Sequence, residues 1–295
     1  MQDNFVQSFQ LESSHIRGRI VRLGSVVDDV LAAHARYPES VQRLTGETMT
    51  LCLMLSSMLK YEGIFTLQTS GDGPIKMLVA DVTSAGDVRA CATYKDEAVH
   101  LKASNAELLG KGYMAFTVDQ GEFAERYQGI VELKPESLVA SVQNYFTQSE
   151  QIATGLMVTV GKVNGQWRAN GIMVQQMPED TAQYNKDESN IHEDDWRRTM
   201  VLLGSVKNEE MLDADLSADD LLFRLFHDEG VRMFDKQAIQ KNCRCNPDRV
   251  QGVLSGMSEE DIRDMAIDGK IVMTCEFCSR DYVFNPQDIK KGATS

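Results

Sequence analysis

No run of 18 apolar residues occurs anywhere in this 295-residue chain, so no helix is expected to span a membrane. The first residues, MQDNFVQSFQLESSHIRGRIV, are polar and lack the apolar centre of a signal peptide, which makes the cytosol the expected location. Positive charge is in short supply: 30 Lys and Arg face 44 Asp and Glu, for a net charge of −14. A field of that sign repels phosphate backbones and argues against nucleic acid as a partner, while favouring solubility. There is no internal repeat and no low-complexity tract. The Gly71-Asp72-Gly73-Pro74 stretch lacks the Lys-Ser/Thr that would complete a phosphate loop, and it reads as a turn. His15, His34, His100, His192 and His227 are scattered, with no cysteine or acid at a catalytic spacing. They are expected on the surface or in packing. With no catalytic dyad or triad in view, the chain does not read as an enzyme.

What is present is an ordinary globular composition, 42% hydrophobic and 25% charged, in a chain long enough for two or three units. IRGRIVRLG reads as a strand and VDDVLAAHARY as a helix ending before Pro38. PESVQRLTGETMTLCLMLSSMLKYEG is the clearest helix, with Pro38 near its start and Gly63 past its end. From Ile64 the period changes to two. IFTLQTS and IKMLVADV flank the Gly-Asp-Gly-Pro turn as a hairpin, followed by the strands VRACATY, YMAFTVD and YQGIVEL. SLVASVQNYFTQSEQ is helical, and LMVTVGKV and WRANGIMVQ form a hairpin at Asn164-Gly165. The expected fold class is α+β: a mostly antiparallel sheet with packed helices over residues 1–177, a helical linker over 178–235, and a small zinc-binding domain over 236–295. The linker is acidic, with Glu179, Asp180, Asp187, Glu188, Glu193, Asp194 and Asp195, then Glu209, Glu210, Asp213, Asp215, Asp219 and Asp220. Self-repulsion should leave it marginally stable. DLLFRLFHDEGVRMF, at its end, reads as helical. The 15 methionines read mostly as core filler.

The six cysteines are unevenly placed. Cys52 and Cys91 lie in apolar surroundings and read as core residues, while Cys243, Cys245, Cys275 and Cys278 form C-x-C and C-x2-C pairs 29 residues apart. A cytosolic chain of this size is not expected to carry a disulfide framework. Two knuckles that each donate a close pair of thiolates are the usual way to build a closed tetrahedral zinc site, and a unit of about 60 residues needs such a staple. On spacing alone a purely structural zinc ribbon is the favoured reading. Two chemical points favour a switch. Thiolates are the oxidisable form of cysteine, and a Cys243–Cys245 bridge would close a very small, strained and readily reduced ring. Oxidation would eject the metal, and zinc binding is worth on the order of 10 kcal/mol of folding free energy in small domains.

RLGSVVDDVL, GIFTLQTSGDGPIKMLVAD, YQGIVEL, YFTQSEQIAT, NGIMVQQMP, LLFRLFHDEGVRMFD and CRC…IVMTCEFCSRDYVFNPQDI run through the chain end to end. With these stretches the chain resembles the redox-regulated 33 kDa heat-shock chaperonins of bacteria. The pair of cysteine motifs, taken with FHDEGVRMFD and YFTQSEQ, is the specific part. The resemblance implies a holdase that works without ATP, with residues 1–177 binding clients and dimerising, 178–235 a metastable linker, and 236–295 a redox switch. It places one zinc ion on Cys243, Cys245, Cys275 and Cys278 in a compact reduced monomer. Under oxidative stress it implies disulfides Cys243–Cys245 and Cys275–Cys278, zinc release, unfolding of the switch and linker, dimerisation, and capture of unfolding proteins. Where the family often has Arg-Gly before a small residue, this chain has Arg89-Ala90-Cys91, which makes Cys91 a candidate stray oxidation site.

Two rivals stay in view. A zinc-ribbon nucleic-acid module would want a basic stripe, yet residues 241–295 hold eight Lys/Arg against nine Asp/Glu. A thiol-disulfide oxidoreductase would want Cys275 and Cys278 at a helix N-terminus, whereas both neighbouring segments read as strands.

Overall fold

The protein is seen in a computed structural model that describes residues 3–95, 104–121, 127–177 and 186–289, with backbone alone for 186–192. His100, Glu179 and Asp180 lie outside the described residues, as do the side chains of Asp187, Glu188 and His192.

The period-two segments form antiparallel ladders. In the first sheet β1 (Phe5–Leu11), β2 (Ile16–Leu23), β8 (Thr154–Val163), β9 (Gln166–Gln176) and β10 (Val231–Ala238) run in the order β10-β1-β2-β9-β8. The second contains β3 (Ile64–Gly71), β4 (Ile75–Thr83), β5 (Asp87–Tyr94), β6 (Gly112–Asp119), β7 (Tyr127–Glu132) and the two-residue β11 (Gln240–Lys241), in the order β11-β5-β4-β3-β6-β7. Every pairing is antiparallel except β11 with β5. The β8–β9 hairpin turns at Asn164 (φ +52°) and Gly165 (φ +82°), the paired positive φ values that match a two-residue turn to the strand twist.

Helix α1 (Ser25–Ala32) is shorter than its sequence pattern suggests, since residues 33–36 form turns before Pro38. Helix α2 (Glu39–Ser56) follows, and every residue from Ser40 to Ser56 except Arg43 is buried. Its threonines stay inside because Thr45, Thr48 and Thr50 donate to the carbonyls of Val41, Leu44 and Gly46 at 2.8–2.9 Å. Leu44, Leu51 and Met54 of α2, Phe65 and Leu67 of β3, and Ala169 and Met173 of β9 belong to one core that spans both sheets. Helix α3 (Asn105–Leu109) is short and carries a capping box at Ser104. Helix α4 (Leu138–Tyr145) runs into a π-helical turn over Phe146–Glu150. The fold is α+β with mostly antiparallel sheets.

A second core lies on the other face of the first sheet. Phe9, Ile20, Ile172 and Val174 are covered there by Leu203 of α5 (Lys186–Ser205), Met211 of α6 (Asn208–Leu212) and Leu222 and Phe226 of α7 (Ala218–Phe226). Two glycines in β8 make room for this cover. A Cβ on Gly155 would lie 2.4 Å from Met200 Sδ, and one on Gly161 would lie 2.8 Å from Leu212 Cδ1. The acids of this segment are partly helix-start residues. Glu209 and Glu210 open α6, and Asp219 and Asp220 open α7 behind the Ser217 cap, where the helix dipole offsets their repulsion.

The end of the segment is not helical through Phe234. Helix α7 stops at Phe226, a 3-10 turn covers His227–Glu229, Gly230 takes φ +67°, and Val231 onward joins β1 as a strand. The turn is locked from three sides. Arg198 of α5 donates to both oxygens of Glu229, Ser13 donates to the same carboxylate at 2.7 Å, and Ser13 N–H donates to the Glu229 carbonyl at 2.9 Å. Arg198 also holds Asp195 at 2.8 Å. The Arg198 hydrogen bonds hold the buried Glu229 carboxyl below the ordinary carboxylate range.

By compactness the chain divides into Met1–Lys241 and Asn242–Ser295, and β10 crosses residue 235, where the sequence reading ends the linker.

Two outcomes follow. Phe226→Ala removes a fully buried ring stacked 6.1 Å from Phe9 and should cost about 3–5 kcal/mol. Hydrogen exchange should show that loss in α5–α7 and leave α2 protected. Because Glu229 has a depressed native pKa, its contribution is complete above its unfolded value near 4.5 and disappears as pH falls through the native value. Acid titration of helix protection should therefore show a step below about pH 4.5 that Glu229→Gln abolishes.

Candidate metal centre

The unit Asn242–Ser295 cannot rely on a core. Among its described residues only Leu254, Ile271 and Tyr282 are buried apolar side chains, while Val253, Ile267, Val272 and Val283 are exposed. Its elements are α8 (Pro247–Ser255), α9 (Glu259–Asp264), and the hairpin of β12 (Ile271–Thr274) and β13 (Asp281–Phe284).

The first knuckle is fixed by the start of α8. Asn246 accepts from Arg249 N–H at 2.8 Å as the cap, Pro247 occupies the first turn, and Arg249 Nη1 donates back to the Arg244 carbonyl at 3.1 Å. Cys243 and Cys245 are thereby held on either side of Arg244. The second knuckle is the turn between β12 and β13. Cys275 N–H donates to Arg280 O at 2.9 Å, and the Cys275 carbonyl accepts from Cys278 N–H at 3.3 Å and Ser279 N–H at 2.8 Å. Ser279 closes the turn at φ +54°. Cys275 and Cys278 thus lie in a strand-to-strand turn, not at a helix N-terminus.

The two knuckles bring their sulfurs together. All four lie within 4.8 Å of one another, with Cys243–Cys275 at 3.7 Å and Cys245–Cys278 at 3.4 Å. Sulfurs around a tetrahedral ion at a bond length of about 2.3 Å stand about 3.8 Å apart. The donor set therefore fits one soft, four-coordinate metal ion. All four are half-buried, and none is in a disulfide.

A contact that the cysteine pattern does not announce comes from Tyr282, whose hydroxyl donates to Cys245 Sγ at 3.0 Å. Burial pushes the Cys245 thiol up, but hydrogen bonds from Tyr282 and the three neighbouring thiols outweigh it and bring the group down to about 7. Burial pushes Cys278 up to about 12 and also raises Cys275. The Tyr282 hydrogen bond thus favours the thiolate of Cys245 over those of Cys275 and Cys278. A period-two reading of DYVF, which puts Tyr282 and Phe284 on one face, is the only sequence signal for Tyr282.

The other two cysteines lie elsewhere. Cys52 is fully buried in α2, donates to the Ala80 carbonyl at 3.3 Å, and has its thiol pushed up by burial. Cys91 is buried in β5. His34 is buried and stacks on Tyr37, while His227 stands beside Asp228. Among the described residues no helix is long and apolar enough to cross a membrane.

The family model described as Hsp33 protein matches residues 4–285. A protein named 33 kDa chaperonin from Caulobacter vibrioides is 37% identical over 96% of this chain and 95% of its own length. One of the same name from Pseudomonas fluorescens is 34% identical over 97% and 92%. The crystal structure of the 33 kDa chaperonin from Thermotoga maritima superposes with a TM-score of 0.81 over 98% of this chain and 97% of that one. At 21% identity it is similar in fold.

Tyr282→Phe deletes the hydrogen bond to Cys245 and keeps the ring. A hydrogen bond to a metal-holding side chain is worth about 10- to 100-fold in metal affinity. Competition with a chromophoric chelator should show at least a tenfold loss with hairpin content unchanged.

Proposed function

The chain belongs to the Hsp33 family of chaperones, and from that premise we propose that it is a redox-switched holdase of the cytosol, which captures unfolding proteins without ATP once its four clustered thiols are oxidised. The observation that carries this reading is the convergence of Cys243, Cys245, Cys275 and Cys278 within 4.8 Å in a unit whose described residues include three buried apolar side chains. Bound zinc would hold the four sulfurs as thiolates and cross-link the two knuckles, supplying the folding energy that burial does not.

The thiolates of Cys243 and Cys245 then give two electrons to an oxidant and join as one disulfide, Cys275 and Cys278 do the same, and the two protons that each oxidant takes up come from solvent. Peroxide would leave as water, and hypochlorite as chloride and water. Neither disulfide donates as a thiolate, so no closed ligand set remains. The chain between Ile239, buried in the first core, and Cys243 is only three residues long, so loss of order in the switch bears directly on β10 and β11. Release of α5–α7 would uncover Phe9, Ile20, Ile172 and Val174, an apolar face suited to unfolding clients and to a second copy of the chain. In this reading residues 178–235 are the releasable linker and 236–295 the switch.

The test measures zinc, free thiols and aggregation of a thermally unfolding client on one preparation. The expected reduced state has one zinc, six thiols and no suppression of aggregation. Peroxide or hypochlorite should remove four thiols and the metal, leaving Cys52 and Cys91, and suppression should appear only then. A fully oxidised, metal-free sample that leaves aggregation unchanged overturns the reading.

A further inference from the structure

The edge between β10 and β1 is badly matched. β1 is almost entirely buried, with Phe9 and Leu11 fully inaccessible. β10, which covers its edge, has no buried residue along its whole length. The ladder between them breaks at a bulge between Gln7 and Phe9, where the register slips from Gln7 opposite Lys236 to Phe9 opposite Met233. Gln7 donates its amide to the Phe234 carbonyl at the bulge at 2.8 Å, and its buried Oε1 has no partner. A side-chain amide beside extended peptide can both donate and accept, and here the accepting half is unused. Among the strands of the first sheet, β10 is therefore the one bound least deeply.

We propose that the β1 edge is a gated strand-addition site: when β10 leaves, an extended segment of an unfolding client pairs antiparallel with Phe5–Leu11 in its place. This inference rests on the proposed redox release of residues 178–235, and it names where and how a client would be held. The occupant is identified by what β10 does there. Val231 and Met233, two residues apart, pack against the second core, while Arg232 and Phe234 take the other face, where the guanidinium lies 5.4 Å from the ring. A client segment with apolar residues at alternate positions satisfies the same face, and its backbone satisfies the edge whatever its sequence. Breadth of clients follows, because main-chain bonds carry the affinity. The other free edges cannot be gated in this way. Among the described residues β7 and β8 end their sheets without a covering strand, so no strand has to leave to free them.

Glu12 N–H donates to Gly230 O and Asn4 O accepts from Ile239 N–H, both at 2.8 Å. By alternation the Val6 and Gln10 amides also face β10. The test uses the full chain, oxidised and metal-free, with two probes: a peptide of the sequence Val231–Ala238, and the same peptide N-methylated on the amides that face β1. Hydrogen exchange should show Val6 and Gln10 losing protection on oxidation. The unmodified peptide should restore it at least tenfold and the methylated peptide should not. The unmodified peptide should also reverse aggregation suppression in competition with a thermally unfolding client.

The proposal is overturned if Val6 and Gln10 stay protected after oxidation, if both peptides act alike, if neither peptide protects them, or if the peptide restores protection without displacing the client. Protection that returns with protein concentration alone also overturns it, in favour of strand exchange between two copies. Aggregation suppression without peptide is read separately and tests the holdase reading itself.

Discussion

The three buried apolar side chains among the described residues of Asn242–Ser295 cannot order it. Each is worth about 3 kcal/mol at best, against backbone ordering that costs about 1–2 kcal/mol for every residue fixed. The structure of Asn242–Ser295 is understandable only as an arrangement for bringing four sulfurs to one point. The Asn246 cap and Pro247 fix Cys243 and Cys245 at a helix start, and the hydrogen-bonded turn fixes Cys275 and Cys278 at a hairpin end. Exposed Val253, Val272 and Val283 follow from the same fact, since they have no core to enter. On the proposed reading, metal affinity and folding stability of this unit are one quantity.

The larger unit divides its stability differently. The first core is built around α2, a helix buried on nearly every face, and depends on no residue beyond Lys241. The second core is a shared surface, half from the first sheet and half from α5–α7. Its polar fixings among the described residues include the Arg198–Glu229–Ser13 lock, Arg22 donating to the Asp213 carbonyl at 2.7 Å, Thr159 donating to Asn208 Oδ1 at 2.9 Å, and Asn170 reaching the Met211 carbonyl. Arg22 is almost wholly buried with Nε and Nη1 lacking hydrogen-bond partners, and burial lowers its pKa. Its Nε has only the ion pair with Asp3 at 3.8 Å, so burying this guanidinium offsets part of what closure of the helices over the sheet gains. On the proposed reading, that offset suits a cover that has to be released.

Much of this was legible in the sequence, for identifiable reasons. The hairpins at Gly71–Pro74 and Asn164-Gly165 announce themselves by turn chemistry, and α2 by its length and its Pro38 start. The cysteine constellation was legible because metal ligands need close pairs. β10 was not. VRMF after FHDEG continues an apolar pattern that suits either period, and only the bare edge of β1, more than 200 residues away in sequence, decides for a strand. Tyr282 and the Glu229 lock were missed for a related reason. Their roles consist of partners distant in the chain, Cys245 in one case and Ser13 and Arg198 in the other, and no local spacing encodes them.

The pairing of the four sulfurs decides whether oxidation can act as a switch. Sulfurs 3.4–3.7 Å apart suit a shared ion but stand far beyond the ~2.05 Å of a disulfide, so metal ligation and disulfide formation exclude each other on one pair. Two close approaches run between the knuckles, Cys243 to Cys275 and Cys245 to Cys278. Disulfides formed along those lines would replace the metal staple by a covalent one, keep the helix start tied to the hairpin, and leave the unit folded. Disulfides within the knuckles, Cys243–Cys245 and Cys275–Cys278, consume the same four thiols while leaving nothing that joins the two halves. Only the second outcome turns a chemical event at sulfur into loss of structure. That is the pairing the family resemblance implies, and on the proposed reading the tightness of the C-x-C and C-x2-C pairs suits it, because the partner within a knuckle remains close after the two halves separate, whereas the partner across does not.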